Sequence, residues 1–268
     1  MWGMFAKLAS MTSLDLDNLD TSLVEDMSYM FWGNENMGSI NLQNFNTKNV
    51  KDMSKMFLSC TKLTSLITSA SFDASKVTDM TSMFEKYTSL TSLNLSIFNA
   101  TSVQQMGYMF SECISLRIID LTSSKNNEIE NMNYLFKDSI SLTSINLYDF
   151  VTKYVVDMSY AFSGCESLTS LSVYSFDTKK VKYMNGLFNG CSFLTDLDLS
   201  QFNTSRVTTM SRMFSGCKKI TEIRLFKFDT KNVEDMSEMF VYCESISQLD
   251  LKHFDTSKVT VLSGMFSV

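Results

Sequence analysis

Apolar positions recur with a period of 26 residues along almost the whole chain. The clearest landmark is a Phe at Phe5, Phe31, Phe57, Phe84, Phe110, Phe136, Phe162, Phe188, Phe214, Phe240 and Phe266, and only the Phe57 to Phe84 interval differs, at 27 residues. Two finer spacings alternate inside each unit. Leu197 and Leu199 flank Asp198 with the period of two that turns alternate side chains to one face, so this segment is read as a strand. Its equivalents are Leu14 and Leu16, Ile40 and Leu42, Leu93 and Leu95, Ile119 and Leu121, Ile145 and Leu147, Leu171 and Val173, Ile223 and Leu225, and Leu249 and Leu251. Stacked, these strands predict one long parallel β-sheet on one side of the molecule.

Phe-Asx-Thr follows the strand segment, as in Phe176-Asp177-Thr178, Phe202-Asn203-Thr204, Phe228-Asp229-Thr230 and Phe254-Asp255-Thr256. Short Asx and Thr side chains bond nearby backbone and turn a chain that contains no Pro, so this is a corner. Val-x-x-Met-x-x-Met-Phe, for example Val233, Met236, Met239 and Phe240, then predicts a short extended or 3₁₀ passage on the opposite side. Self-similarity at this period marks a solenoid, in which a unit buries its apolar face only against its neighbours. The expectation is one repeat domain over residues 1–268, with about ten repeats. Both ends lie inside a repeat without a polar capping unit, so the chain is expected to be a piece of a longer protein or to stack head to tail.

The 268 residues are 44% hydrophobic and 19% charged, with a net charge of -6, as in ordered globular chains. The acidic balance is spread through the repeats and argues against nucleic acid and anionic membrane surfaces, which need clustered Lys and Arg. No aromatic-plus-basic platform stands out in the sequence. No apolar run approaches the roughly 20 residues of a membrane span.

Catalysis has little support. The single His, His253, sits beside Phe254 in a turn, so no Ser-His-Asp or Cys-His arrangement can be assembled without it. No phosphate loop of the GxGxxG or GxxxxGK[ST] kind occurs among nine Gly. The 20 Met lie at core spacing and are read as packing rather than copper ligands. Asp26, Asp52, Asp79, Asp157 and Asp235, each before a Met, are read as turn or surface carboxylates rather than calcium ligands. Neither a metal nor a cofactor is therefore expected.

All six Cys occupy one repeat position. Cys60 and Cys113 have no Cys in a neighbouring unit, whereas Cys165, Cys191, Cys217 and Cys243 form a ladder. In-register side chains about 4.8 Å apart leave their Cβ atoms slightly too far apart for a disulfide, and buried free thiols are expected. Zinc would need converging ligands and a C-x-x-C spacing that is absent. The structural ladder read from the sequence is thus Phe57, Phe84, Phe110, Phe136, Phe162, Phe188, Phe214 and Phe240 with those four Cys.

The run Leu194-Thr-Asp-Leu-Asp-Leu-Ser-Gln-Phe-Asn-Thr-Ser-Arg-Val-Thr-Thr-Met-Ser-Arg-Met-Phe-Ser-Gly-Cys217 resembles the BspA-type leucine-rich repeat of bacterial surface proteins. The resemblance covers essentially the entire chain. It implies a right-handed leucine-rich-repeat solenoid in a cell-surface or secreted protein that binds host matrix proteins, host cells or other microbes. The ligand it implies is a protein or glycan, and the export signal would lie outside this chain. Two units depart from the pattern: an extra residue falls near Ile67 to Ser71, and the corner between Leu121 and Ile129 lacks the Phe-Asx-Thr sequence.

If the strands line an open face, its outward residues flank the second apolar strand position. They include Asp196, Asp198, Glu222, Arg224 and Asp250. One step further stand Tyr148, Tyr174 and Phe226, where earlier repeats have Asp17, Gln43, Ser96 and Thr122. Exposed aromatics beside charges anchor interfaces, so these eight residues are the candidate binding site. The rival reading is a structural solenoid that self-associates end to end.

Overall fold

The computed structural model describes all residues except 69–71, 95–98, 123–127 and 268, and only the backbone of Asn94. Five three-residue strands lie on one side: β1 (Ser39–Asn41), β2 (Ser65–Ile67), β3 (Ser92–Asn94), β4 (Ile118–Asp120) and β5 (Ser144–Asn146). Every pairing is parallel and joins equivalent positions, so Ile40 faces Leu66 and Ile119 faces Ile145. They form a two-stranded sheet, β1 and β2, and a three-stranded sheet, β3 to β5. Beyond β5 this side narrows to a single bridge between Ser170 and Asp196. The long sheet expected from the apolar alternation is therefore short. Leu197 and Leu199 are buried, but burial alone does not impose the extended backbone pairing. Leu95 and the extra residue near 69–71 fall outside the described residues, as does most of the irregular corner at 123–127.

The continuous ladder lies on the opposite side. Parallel bridges join Asp26, Asp52, Asp79, Gln105, Asn131, Asp157, Tyr183, Thr209, Asp235 and Val261 in sequence. Each then leads into the Met-x-x-Met-Phe passage, whose amides alternate between two partners. Met27, Tyr29, Phe31 and Gly33 donate to Asp52, Ser54, Met56 and Leu58 of the next unit, at 2.8–3.0 Å. Met30 and Trp32 instead donate three residues back, to Met27 and Tyr29. The passage thus shares the i to i−3 bonds of a 3₁₀ turn but commits its other amides to the neighbouring repeat.

This alternation requires left-handed backbone at the second residue on either side of Phe. Around Phe188 those positions are Gly186 and Gly190, with φ of 59° and 73°. Other units place Tyr108, Tyr134, Lys55, Glu112 or Arg212 there, each at φ between 55° and 59°. Left-handed geometry costs a non-Gly residue roughly 1–2 kcal/mol. The two-way hydrogen bonding, repeated unit after unit, offsets that cost.

Inside the passage the Phe rings form a stack from Phe5 to Phe266. Successive centroids lie 5.5–5.9 Å apart with interplanar angles of 3–18°. The flanking Met and Val side chains, such as Met210, Met213 and Val207, are fully buried beside it. A second row of buried Phe, including Phe150, Phe176 and Phe202, fills the corner.

Polar residues complete the stack. The buried Thr of the corner reaches one unit forward: Thr204 Oγ1 donates to the Asp229 carbonyl at 3.0 Å and accepts from the Asp229 amide at 2.8 Å. Thr178 and Thr230 repeat the pair. The Asp before Met closes a local turn, with Asp52 and Asp157 each accepting from the amide two residues on at 2.8 Å. Among the described residues no buried side-chain polar atom lacks a partner.

The six Cys are free, and only Cys243 is not fully buried. Their thiols do more than fill space. Cys60, Cys165, Cys191 and Cys217 donate to the carbonyls of Phe31, Phe136, Phe162 and Phe188 at 3.1–3.4 Å. Ser139 and Asn34, at the same repeat position, donate to Phe110 and Phe5. Most units place a small buried donor here, with Tyr87 and Leu8 as exceptions, and burial pushes the Cys60 and Cys113 thiols up to about 12.

Candidate binding face

The strand side carries the residues singled out from the sequence. Several units close this side with an Asx turn that throws the next side chains outward, as at Asn41 and Asp120. Asn146 Oδ1 accepts the Tyr148 amide at 3.2 Å, and Asp198 Oδ1 accepts the Ser200 amide at 2.8 Å. Tyr148, Tyr174 and Phe226 are 74%, 76% and 52% exposed. A Tyr or Phe left this open in water offers apolar area for a partner to cover.

The eight candidate residues do not form one cluster. Tyr148 and Tyr174 sit in adjacent units, whereas Ser200 occupies the equivalent place before Phe226. Tyr174, Asp196, Asp198, Ser170, Ser172 and Gln201 line a shallow hollow of about 300 Å³. Glu222 and Arg224 hydrogen-bond to each other at 3.3 Å, and Lys227 lies 5.9 Å from the Phe226 ring. Asp250 pairs with Lys252 at 2.8 Å. Phe226 and its charged neighbours thus belong to a second group, two units from Tyr174.

Local partners set the charge of this face. The Ser200 amide and hydroxyl hold the Asp198 carboxyl below its usual range, helped by Arg224 and Lys227. Lys252, through its side chain and then its amide, does the same for Asp250. Both carboxylates therefore serve the turn first and are ionised at neutral pH. The hollow beside Tyr174 offers two acidic groups, one aromatic ring and several hydroxyls, a set suited to hydrogen bonding and ring stacking.

Two features escaped the sequence. Tyr108, Tyr134 and Tyr160 stack as a column on the turn side at 4.4 and 5.0 Å, and the Tyr160 ring lies against Gly186. Their spacing of 26 residues was a usable signal. The second is a meeting of Lys and Tyr side chains round Tyr154, where no aromatic-plus-basic platform stands out from the sequence. Lys180 Nζ lies 4.3 Å and Lys153 Nζ 5.2 Å from the Tyr154 ring centroid. Groups of His, Cys, Asp or Glu that could hold a metal ion are not found among the described residues.

The family model described as Mycoplasma protein of unknown function, DUF285, matches residues 1–118, 68–171, 108–226 and 191–268. The chain belongs to the DUF285 family. A leucine-rich repeat protein from Bacteroides ovatus is 18% identical to this DUF285 chain at a TM-score of 0.50, over 97% of the chain and 62% of that protein. The Treponema pallidum leucine rich repeat protein is 22% identical at 0.43, over 65% and 72% of the two chains. A leucine rich cell surface protein from Faecalibacterium prausnitzii is 17% identical at 0.31, over 82% and 74%. No curated protein matches the DUF285 chain. Its fold is a leucine-rich-repeat solenoid, and it spans less than two thirds of the Bacteroides protein's length.

Proposed function

We propose that this chain is a non-catalytic interaction module of a cell-surface or secreted protein, an adhesin for host matrix proteins, host cells or other microbes. The observation that carries this reading is the exposure of Tyr148 and Tyr174 on adjacent strand ends, beside the acidic hollow at Asp196 and Asp198. Large rings concentrate binding energy when a partner dries them. The solenoid supplies a rigid base, because every strand end is tied to the continuous ladder behind it. Resemblance to BspA-type surface repeats supports the location, and the ligand is a protein or glycan.

The test is binding of the purified chain to a panel of matrix proteins and glycans by biolayer interferometry. Replacing Tyr148, Tyr174 and Phe226 by Ser is expected to weaken a detected interaction by at least about tenfold with an unchanged melting temperature. Equal binding by the triple variant overturns the assignment of this face. Growth of concentration-dependent fibres in light scattering would replace adhesion with head-to-tail assembly as the function.

A further inference from the structure

The Lys and Tyr side chains round Tyr154 belong to a larger basic surface on the edge between corner and turn ladder. Register there is fixed by the backbone: the Lys182 amide donates to Val156, and the Thr208 amide to Lys182, both at 2.9 Å. Asp157, Tyr183 and Thr209 are joined by parallel bridges just beyond. Stacking therefore sets Tyr154, Lys180 and Arg206 in one column, with Lys153 and Lys179 in the column before it and Val156 and Lys182 beyond. Val155, Val181 and Val207 are buried beneath, which forces their neighbours out into solvent. Lys153, Lys179, Lys180, Lys182 and Arg206 are all exposed.

These cations are mostly uncompensated. Asp177 pairs with Lys179 at 3.6 Å, and Asp157 accepts the Ser159 amide. Among the described residues, Lys153, Lys180, Lys182 and Arg206 form no ion pair, and Asp177 is left to Lys179. Five cations against Asp149, Asp157 and Asp177 in the same three units make a local excess of two positive charges on a chain whose net charge is -6. The field of such a patch attracts anions over several ångströms.

We infer that this surface binds a linear sulfated polysaccharide. The cations do not converge on a point, so they make no cradle for a small anion. They recur at the repeat spacing of about 4.8 Å across three units, which matches an extended chain bearing many anionic groups. Tyr183, 43% exposed beside Lys182, adds a ring on which a sugar face can rest. Single-stranded nucleic acid also combines charge with stacking, but it sets successive bases on successive rings, and with Lys180 over Tyr154 Tyr183 is one ring alone. The surface meets the strand-side rings at Lys153, which lines one hollow with Tyr148, whereas Lys180, Lys182 and Arg206 line none of it, so a test at those three is independent of the adhesin reading.

The experiment uses the whole chain and immobilised heparin, with surface plasmon resonance read at 50, 150 and 300 mM NaCl. Binding is expected to weaken as salt rises, and Lys180→Glu with Arg206→Glu is expected to reduce it by at least about tenfold at 150 mM. Tyr174→Ser with Phe226→Ser should leave heparin binding unchanged. Circular dichroism of each variant separates loss of the surface from loss of the fold, and Lys182→Ala provides a milder second variant with the same direction. Absence of heparin binding at 50 mM, or a double variant that is folded and binds equally, overturns the inference. Tighter binding to polyglutamate or to a single-stranded oligonucleotide of equal charge overturns it as well.

Discussion

The two long sides of this solenoid obey different rules. On the turn side the same bonds recur from Gly3, whose amide reaches Ser28, to Tyr242, whose amide reaches Ser267. On the strand side regular pairing covers three residues per unit and gives way to one bridge after β5. Both sides descend from the same 26-residue unit. The turn side tolerates changes of residue type but not of backbone, because each unit's amides are half committed to the next. The strand side fixes one or two buried side chains and leaves the rest free, so Tyr148, Tyr174 and Phe226 can stand where other units carry Asp17, Gln43 or Lys252. Variation that can carry recognition accumulates where the backbone asks least.

Substitutions on the two sides should therefore differ sharply, and Phe162→Ala probes the extreme. Its buried ring lies 5.8 Å from both Phe136 and Phe188, and its loss should cost about 3–5 kcal/mol in urea unfolding. A cost below 1 kcal/mol would mean that the stack is not what holds the units together. Thr204→Val removes a hydroxyl that serves both the amide and the carbonyl of Asp229. With those groups left buried and unpaired, a loss of about 1–3 kcal/mol is expected at nearly constant shape.

Alkali offers a third probe of the turn side. The Cys60 and Cys113 thiols have native pKa values pushed to about 12 from an ordinary value of 9.0. Below pH 9 both folded and unfolded thiols are neutral and nothing is lost. Above it the unfolded chain gains by ionising, so stability falls by about 1.4 kcal/mol per thiol per pH unit until the native groups also titrate near 12. Cys60→Ser with Cys113→Ser keeps the donor, as Ser139 does, and should flatten the fall in urea midpoint between pH 8 and 10.5. At the small end, Tyr148→Ser, Tyr174→Ser and Phe226→Ser together should move stability by less than about 0.5 kcal/mol per residue, measured by thermal melting. A large drop would show that those rings support the strand ends.

The repeat, the buried Phe, Met and Val positions and the turn role of Asp and Asn are all legible in the sequence, because each leaves a residue type at a fixed offset. The left-handed backbone is much less so. Tyr108, Lys55, Glu112 and Arg212 give no hint of positive φ, and only the Gly at 3, 33, 164, 186, 190, 216 and 264 mark those places. Alternation at Leu197 and Leu199 predicts more sheet than forms, since alternation reports burial and not pairing. The corner Thr reads as a turn residue, but its reach to the next unit depends on stacking that no single unit displays. The basic surface stayed hidden for the same reason: Lys153, Lys180 and Arg206 are scattered along the chain and become neighbours only through the 26-residue register.

The alternation of amide partners on the turn side also bears on how such a chain can change length. Each unit offers its predecessor the same row of carbonyls that it receives from its own successor. Gaining or losing a complete unit therefore leaves every remaining joint as it was, whereas a gain of a few residues inside the passage would misalign donors and acceptors through the rest of the stack. For a gene encoding such a protein, unequal exchange between identical phases of the repeat is structurally silent. The length of such a solenoid can then vary in whole steps while its exposed faces diverge residue by residue.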